Sequence, residues 1–169
     1  TMKIKKLIVD NKYVAFSHRN LINSSENSVG KTTLILLILF AMGFAIPSTQ
    51  KVNFNNLITR IYIENNSKNY LLIRSKDSVK IYEDDSYIET FNVRVENEIG
   101  VVIFGITNNL IINNILATFY FDQEKGWTLL NRGTVIGGIK FNIEEYLEGM
   151  SQNELGQYRQ SVLRLNKDI

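Results

Sequence analysis

The residues whose types and spacing most clearly indicate chemistry lie at positions 25–32, which read Ser-Glu-Asn-Ser-Val-Gly-Lys-Thr. They match the phosphate-binding pattern G-x-x-x-x-G-K-[ST], except that Ser25 stands where the pattern has its first glycine. In this pattern the backbone N–H groups of a tight loop converge on phosphates together with the positive end of the following helix dipole. Lys31 would reach the β and γ phosphates, and the Thr32 hydroxyl would bind Mg²⁺. The sequence therefore predicts a nucleotide site.

The candidate nucleotide-binding residues are those of this pattern together with Arg19, which precedes it, and Thr33, which directly follows it. They are Arg19, Ser25, Glu26, Asn27, Ser28, Val29, Gly30, Lys31, Thr32 and Thr33.

The elements around the loop are those that such a site needs. Lys3–Val9 and Tyr13–Phe16 predict a β-hairpin ahead of it, because both segments are rich in Ile, Val and Tyr and a polar turn separates them. After the loop, the apolar run Leu34–Ile46 predicts a buried helix of about sixteen residues, starting near Gly30 and ended by Pro47.

Downstream of the helix the hydrophobic pattern changes to period two. From Leu57 to Glu96 four segments alternate apolar with polar residues and are separated by polar turns, which predicts a half-exposed antiparallel meander. Residues 98–115 are ambiguous and could form two short helices, whereas Ala117–Phe121 predicts a buried strand. Helical turns are expected at 128–133 and 141–150, with Asn142 as a cap, and a last helix is expected from Ser151.

Composition excludes several classes of protein. The chain has 169 residues, enough for one domain core, and a formal net charge of +2, which does not indicate a strongly basic nucleic-acid-coating protein. It has no cysteine and one histidine, His18, so thiolate chemistry and multi-histidine metal sites are excluded. The thirteen apolar residues Leu34–Ile46 are fewer than the roughly twenty of a membrane span, so a cytoplasmic protein is expected.

With these elements placed, the chain resembles the N-terminal lobe of an SMC-type ATPase head, the ABC-class fold shared with RecF and RecN-like proteins. Asn27 matches the asparagine of the family's G-x-N-G-x-G-K-[ST] loop, and Gln123 resembles the Q-loop glutamine that binds Mg²⁺ and senses the γ-phosphate. The resemblance implies an α/β P-loop NTPase fold with an antiparallel β subdomain and a mixed sheet. Residues 1–150 would form the ATPase lobe, and residues 151–169 would begin a coiled-coil arm.

Within that class, the run Asp122–Met150 resembles SMC-like subunits of Lamassu-type anti-phage systems. The resemblance implies an ATPase of anti-phage defence or DNA repair that uses ATP and Mg²⁺ and dimerises through its heads. It would bind double-stranded DNA through the dimer and release an effector such as a nuclease. The family's C-terminal lobe supplies the signature loop, the Walker B Asp and the catalytic Glu, and no apolar strand ending in Asp-Glu occurs in this sequence. We therefore expect no catalytic residue in this chain and no hydrolysis by it alone.

Two other function classes remain open from the sequence. A small stand-alone P-loop enzyme would need a second-strand Asp and a base-recognition motif, neither of which occurs here, while a non-catalytic interaction module is favoured only by Ser25. Arg19 resembles the basic residue that approaches the phosphates in such heads, although it could equally be a solvated loop residue. His18 is expected to be an ordinary loop residue, and Trp127 is expected to pack against its neighbours. Three scattered basic residues are expected to be solvated rather than to face DNA: Lys125, Arg132 and Lys140.

Overall fold

The computed structural model describes residues 2–23, 30–44, 46, 52–93, 98–108, 110–111, 114, 133–136 and 139–151. The chain forms two compact units, residues 1–105 and residues 106–169. The elements of the first unit are β1 (Lys3–Val9), β2 (Lys12–Ala15), α1 (Lys31–Ala41), a 3₁₀ turn (Phe54–Asn56), β3 (Ile58–Asn65), β4 (Lys68–Ser75), β5 (Ser78–Glu83), β6 (Ser86–Asn92) and α2 (Glu98–Phe104). Those of the second unit are β7 (Gly133–Ile136), β8 (Ile139–Phe141) and α3 (Ile143–Ser151).

The first unit is built on a six-stranded sheet in the order β2-β1-β3-β4-β5-β6. Every strand pair of this sheet is antiparallel, which confirms the predicted hairpin and meander. The mixed sheet stays a prediction, because the expected strand Ala117–Phe121 lies outside the described residues.

Tight turns fix the register of the meander. Asn66 and Ser67 join β3 to β4, and Asp84 and Asp85 join β5 to β6, all with positive φ between 45° and 65°. Two consecutive left-handed residues define the type I′ turn, whose twist matches that of paired strands. The Asp84 carboxylate also accepts hydrogen bonds from the backbone N–H of Asn69 and its Nδ2, at 3.1 and 3.2 Å. The polar turns seen in the sequence therefore set which side chains face the core.

One face of the sheet packs against the two helices of the unit. Alternate residues of the strands are buried there together with Ile99 and Ile103 of α2, and the set comprises Leu7, Ile61, Ile63, Tyr70, Leu72, Val79, Ile81 and Phe91. Phe40 of α1 and Phe54 complete this layer, with ring centroids 5.5 Å apart. Successive side chains along each strand point to opposite faces, so one face of the sheet is buried and the other is more open to solvent.

Helix α1 is shorter than predicted, with eleven residues instead of about sixteen. It ends in a Schellman motif: Phe44 N–H donates to the Leu39 carbonyl at 3.1 Å, and Gly43 N–H donates to the Phe40 carbonyl at 2.9 Å. Gly43 adopts φ 94°, which glycine reaches without steric cost. The prediction that Pro47 ends the helix was wrong, because Gly43 ends it four residues earlier although apolar residues continue.

The buried side chain of Arg74, on β4, holds this helix end against the sheet. Its Nη1 donates to the carbonyls of Phe40 and Phe44 at 2.6 and 2.7 Å, and its Nε donates to the Lys76 carbonyl at 2.9 Å. The guanidinium carbon lies 3.6 Å from the centroid of the Phe40 ring. Burial lowers the pKa of Arg74 to about 10 while the charge of Asp77 opposes that shift, so the group keeps its charge at neutral pH.

The second unit contains a hairpin of β7 and β8 that the sequence did not predict. The helical turns expected at 128–133 and 141–150 border this hairpin on either side. The predicted cap is confirmed, since Asn142 Oδ1 accepts from the N–H groups of Glu144 and Glu145 at 3.0 and 3.3 Å. The buried Asn114 accepts from Asn142 N–H at 2.7 Å and so ties this cap to the preceding segment. The expected helix beyond Ser151 lies outside the described residues.

No helix in the described ranges is long and apolar enough to cross a membrane.

Removing the Arg74 guanidinium should destabilise the first unit. Arg74→Met keeps the aliphatic volume but leaves three carbonyls without this donor, so we expect the free energy of unfolding to fall by about 3 kcal/mol. Urea unfolding followed by circular dichroism measures this change. The control Arg60→Met lies on the opposite face of the same sheet and should change stability by less than about 0.5 kcal/mol. Equal losses in both variants would contradict the role assigned to Arg74.

A second prediction concerns Thr59, which is fully buried on β3. Within the described part of the chain its Oγ1 has no hydrogen-bond partner. Thr59→Val replaces the unpaired hydroxyl with a methyl group of similar size, so we expect thermal unfolding to show a gain of about 1 kcal/mol. A loss of stability would show that the hydroxyl is satisfied, for instance by water.

Candidate functional site

The structure places the C-terminal part of the predicted phosphate loop at the start of α1. Gly30 immediately precedes the helix, and Lys31, Thr32 and Thr33 form its first turn. The remaining loop residues, Ser25–Val29, lie outside the described residues, as does Gln123. The geometry of the site is therefore that of the helix start and of the segment that leads from β2 towards the loop.

Gly30 is the N-cap of α1 and adopts a left-handed conformation, with φ 97° and ψ 10°. Its carbonyl accepts the first helical hydrogen bond, from Leu34 N–H at 2.9 Å. A Cβ atom built on Gly30 would meet no atom within 4 Å. Glycine is therefore favoured here by the backbone conformation and not by crowding.

The first turn of α1 has an electrostatic character that suits an anion. It contains no acidic residue, and glycine has no side chain that could cap the backbone N–H groups. Lys31 also lies in this turn, at the positive end of the helix dipole, so an anionic ligand there would interact favourably with both. The Lys31 residue is half-buried, while Thr32 is exposed and its hydroxyl is accessible for a ligand.

Arg19 lies in a turn that follows β2. Ser17 and Asn20 close this turn, since Ser17 N–H donates to Asn20 Oδ1 at 2.9 Å and Asn20 Nδ2 donates to the Ser17 carbonyl at 3.0 Å. Ser17 Oγ donates to the Arg19 carbonyl at 2.7 Å, which fixes the backbone of Arg19. The Arg19 and His18 residues are both exposed. The structure thus presents Arg19 on a hydrogen-bonded turn after β2.

The residue that sequence reasoning missed is Arg74, which anchors the far end of the helix that begins at the phosphate loop. The alternation of β4 could have indicated that Arg74 is buried, because Tyr70, Leu72 and Arg74 occupy successive inward positions. An arginine at an inward position requires buried acceptors, and the end of a helix supplies carbonyl groups. The strand pattern alone does not reveal which helix supplies them.

Replacing Gly30 should affect both stability and phosphate binding. Gly30→Ala forces an L-residue into the left-handed region, so we expect a loss of about 1–2 kcal/mol in unfolding free energy and weaker binding of ATP. Gly105→Ala is a matched control, because Gly105 also has positive φ, 66°, and open space around it. Calorimetric ATP titration should show weaker binding only for the Gly30 variant. Equal affinities of the two variants for ATP would contradict a role of Gly30 in binding.

Comparison with known proteins identifies a distant relative. No protein-family model matches the chain. The chain is similar to the Lamassu protein LmuB of Bacillus cereus (strain VD014), with 26% identity over 119 residues. The matched region covers 64% of this chain and 21% of that protein, so the chain spans about a fifth of the length of the relative that it matches.

Proposed function

We propose that this chain is the ATP-binding lobe of an SMC-like ATPase in a Lamassu-type anti-phage defence system. The observation that carries the proposal is the left-handed Gly30 directly ahead of Lys31 and Thr32 at the start of an apolar helix. The similarity to a Lamassu protein supports the assignment to anti-phage defence.

The roles of the described residues follow from where they lie. The backbone N–H groups of the first helical turn would donate to phosphate oxygens, aided by the helix dipole. The Lys31 ammonium would neutralise the β and γ phosphates, and the exposed Thr32 hydroxyl would help to hold Mg²⁺, which would neutralise further phosphate charge. Gln123 is proposed as a second Mg²⁺ ligand on the strength of the family resemblance alone.

The sheet favours this proposal over a small stand-alone P-loop enzyme. Such enzymes alternate strands and helices around a parallel sheet. Here five successive strand pairs of the described sheet are antiparallel, and β3 to β6 follow one another without an intervening helix. An antiparallel subdomain beside the nucleotide loop is what the SMC-type head requires.

ATP hydrolysis, head dimerisation and binding of double-stranded DNA are proposed for the complete protein. The chain spans about a fifth of its Lamassu relative, and the signature loop and Walker B residues expected for hydrolysis do not occur in this sequence. We propose that a C-terminal lobe of the same polypeptide and a second copy of the head complete the catalytic site, and that an effector such as a nuclease acts downstream.

The proposal predicts that ATP binding depends on Lys31. In the full-length protein, Lys31→Ala should weaken binding of ATP with Mg²⁺ by about 10- to 100-fold, because a charge-assisted contact to the phosphates is lost. Lys80→Ala removes the same charge from an exposed position on β5 and should leave the affinity unchanged. Equal affinities of the Lys31→Ala variant and the parent in calorimetric titration would reject the nucleotide site.

A further inference from the structure

The face of the six-stranded sheet opposite the core carries an ordered set of side chains, which we call the outer face. Strand register aligns them in two rows that cross the sheet. The first row consists of Lys6, Tyr62, Leu71, Tyr82 and Tyr87. The second row consists of Tyr13, Ile8, Arg60, Ile73, Lys80 and Thr90.

The outer face is accessible. All members of both rows are half-buried or exposed, and the largest exposures are those of Tyr13, at 69%, and Tyr87, at 58%. Large aromatic side chains that stay open to solvent across several strands are unusual for a sheet face and mark a surface that binds a partner.

The two rows of the outer face carry charge of one sign. The two rows contain three cations, Lys6, Arg60 and Lys80, and no carboxylate. Four carboxylates border the rows: Glu64 and Glu83 form ion pairs with lysines, while Asp84 and Asp85 lie in the turn between β5 and β6. Hydrogen bonding from Lys5, together with the charge of Lys3, lowers the pKa of Glu64, and hydrogen bonding from Lys68 lowers the pKa of Glu83. The rows themselves therefore carry three positive charges, from Lys6, Arg60 and Lys80.

The aromatic rings of the rows are held in place by neighbours. The Lys6 ammonium lies 4.8 Å from the centroid of the Tyr13 ring and 6.0 Å from that of Tyr62, within the range of cation–π contacts. Tyr82 and Tyr87 meet edge to face, with centroids 5.7 Å apart, and Tyr87 Oη donates to Thr90 Oγ1 at 3.0 Å. Rings held in this way lose little further freedom when a flat ligand stacks on them.

We propose that the outer face binds single-stranded nucleic acid. Bases would stack on the exposed Tyr13 and Tyr87 rings, and phosphates would contact the three cations of the rows. A single strand fits this surface better than a duplex, because only unpaired bases offer free faces to solvent-facing rings. The six strands place the two tyrosines about 24 Å apart across the sheet, a span compatible with several nucleotides.

A groove beside the first row gives additional room for a base. Its volume is about 530 Å³, and its lining includes Lys6, Tyr62 and Leu71 of that row. Asn69, Asp84 and Asp85 also line it, and their side-chain oxygens could accept hydrogen bonds from exocyclic amino groups of a base. The two carboxylates would repel phosphates, so the groove would take a base and not the backbone.

The test is the binding of a fluorescently labelled 20-nucleotide single strand of mixed sequence to the full-length protein without ATP, measured by anisotropy. Tyr13→Leu/Tyr87→Leu should weaken binding about tenfold or more, and Tyr13→Phe/Tyr87→Phe should retain it, because stacking needs the ring and not the hydroxyl. Lys80→Ala should weaken binding and make its salt dependence less steep. Lys12→Ala is the matched control: Lys12 pairs with the core-facing Val9 and so lies on the other face.

Three results would overturn the inference: duplex binding that falls as much as single-strand binding in Tyr13→Leu/Tyr87→Leu, unchanged single-strand binding by that variant, or equal effects of Lys80→Ala and Lys12→Ala. Thermal unfolding of each variant identifies any loss of fold, and the single Lys80→Ala change still tests the surface if the leucine variant is destabilised. The inference is independent of the nucleotide site, since Lys31→Ala should leave this binding unchanged. Failure of one proposal can therefore be told apart from failure of the other.

Discussion

The first unit depends on one buried cation, the guanidinium of Arg74, between the sheet and the end of α1. Burying an arginine is costly unless its donors are satisfied, and here three backbone carbonyls and the face of Phe40 surround it. Two of these carbonyls belong to the end of α1, where the helix dipole is negative, so the charge and the dipole stabilise each other. Because α1 is a rigid rod of eleven residues, fixing its end also fixes its beginning, where Gly30 and Lys31 lie.

The same arrangement occurs a second time in this unit. Asn65, at the end of β3, donates to the Ile103 carbonyl of α2 at 2.6 Å. Both helices are therefore tied to the sheet by a polar side chain that reaches a carbonyl near the helix end, while apolar contacts fill the space between. Because these contacts involve the helix ends and the core face of the sheet, the start of α1 and the outer face of the sheet take no part in them.

The sequence predicted those features that depend on local pattern. A high content of Ile, Val and Tyr revealed β1 and β2, and alternation revealed β3 to β6. The side-chain oxygen of Asn142 identified the start of α3, and all these signals lie within a few residues of the element. The end of α1 was misplaced, since Gly43 lies in an apolar run and two non-local features favour glycine there: its φ of 94°, and the Phe91 ring 3.3 Å from where a Cβ would stand. The inward position of Arg74 could be read from alternation, but its acceptors on Phe40 and Phe44 could not, because they lie about thirty residues away in sequence. Of the site itself, the helix start at Gly30 agrees with the motif, while the roles of Ser25–Val29 and Gln123 rest on sequence alone.

The topology also has a consequence for the order of folding. Strands β3 to β6 are joined by short hairpins and need no contact with the start of the chain, whereas β1 pairs with β3 across 61 residues at Lys3 and Glu64. That pairing closes a large chain loop which contains β2, the phosphate-loop segment and α1. Since closing such a loop costs entropy that local hairpins do not incur, the meander should form first and serve as the template on which β1 docks. Helix α1, which lies within that chain loop, should then be among the last elements of this unit to dock.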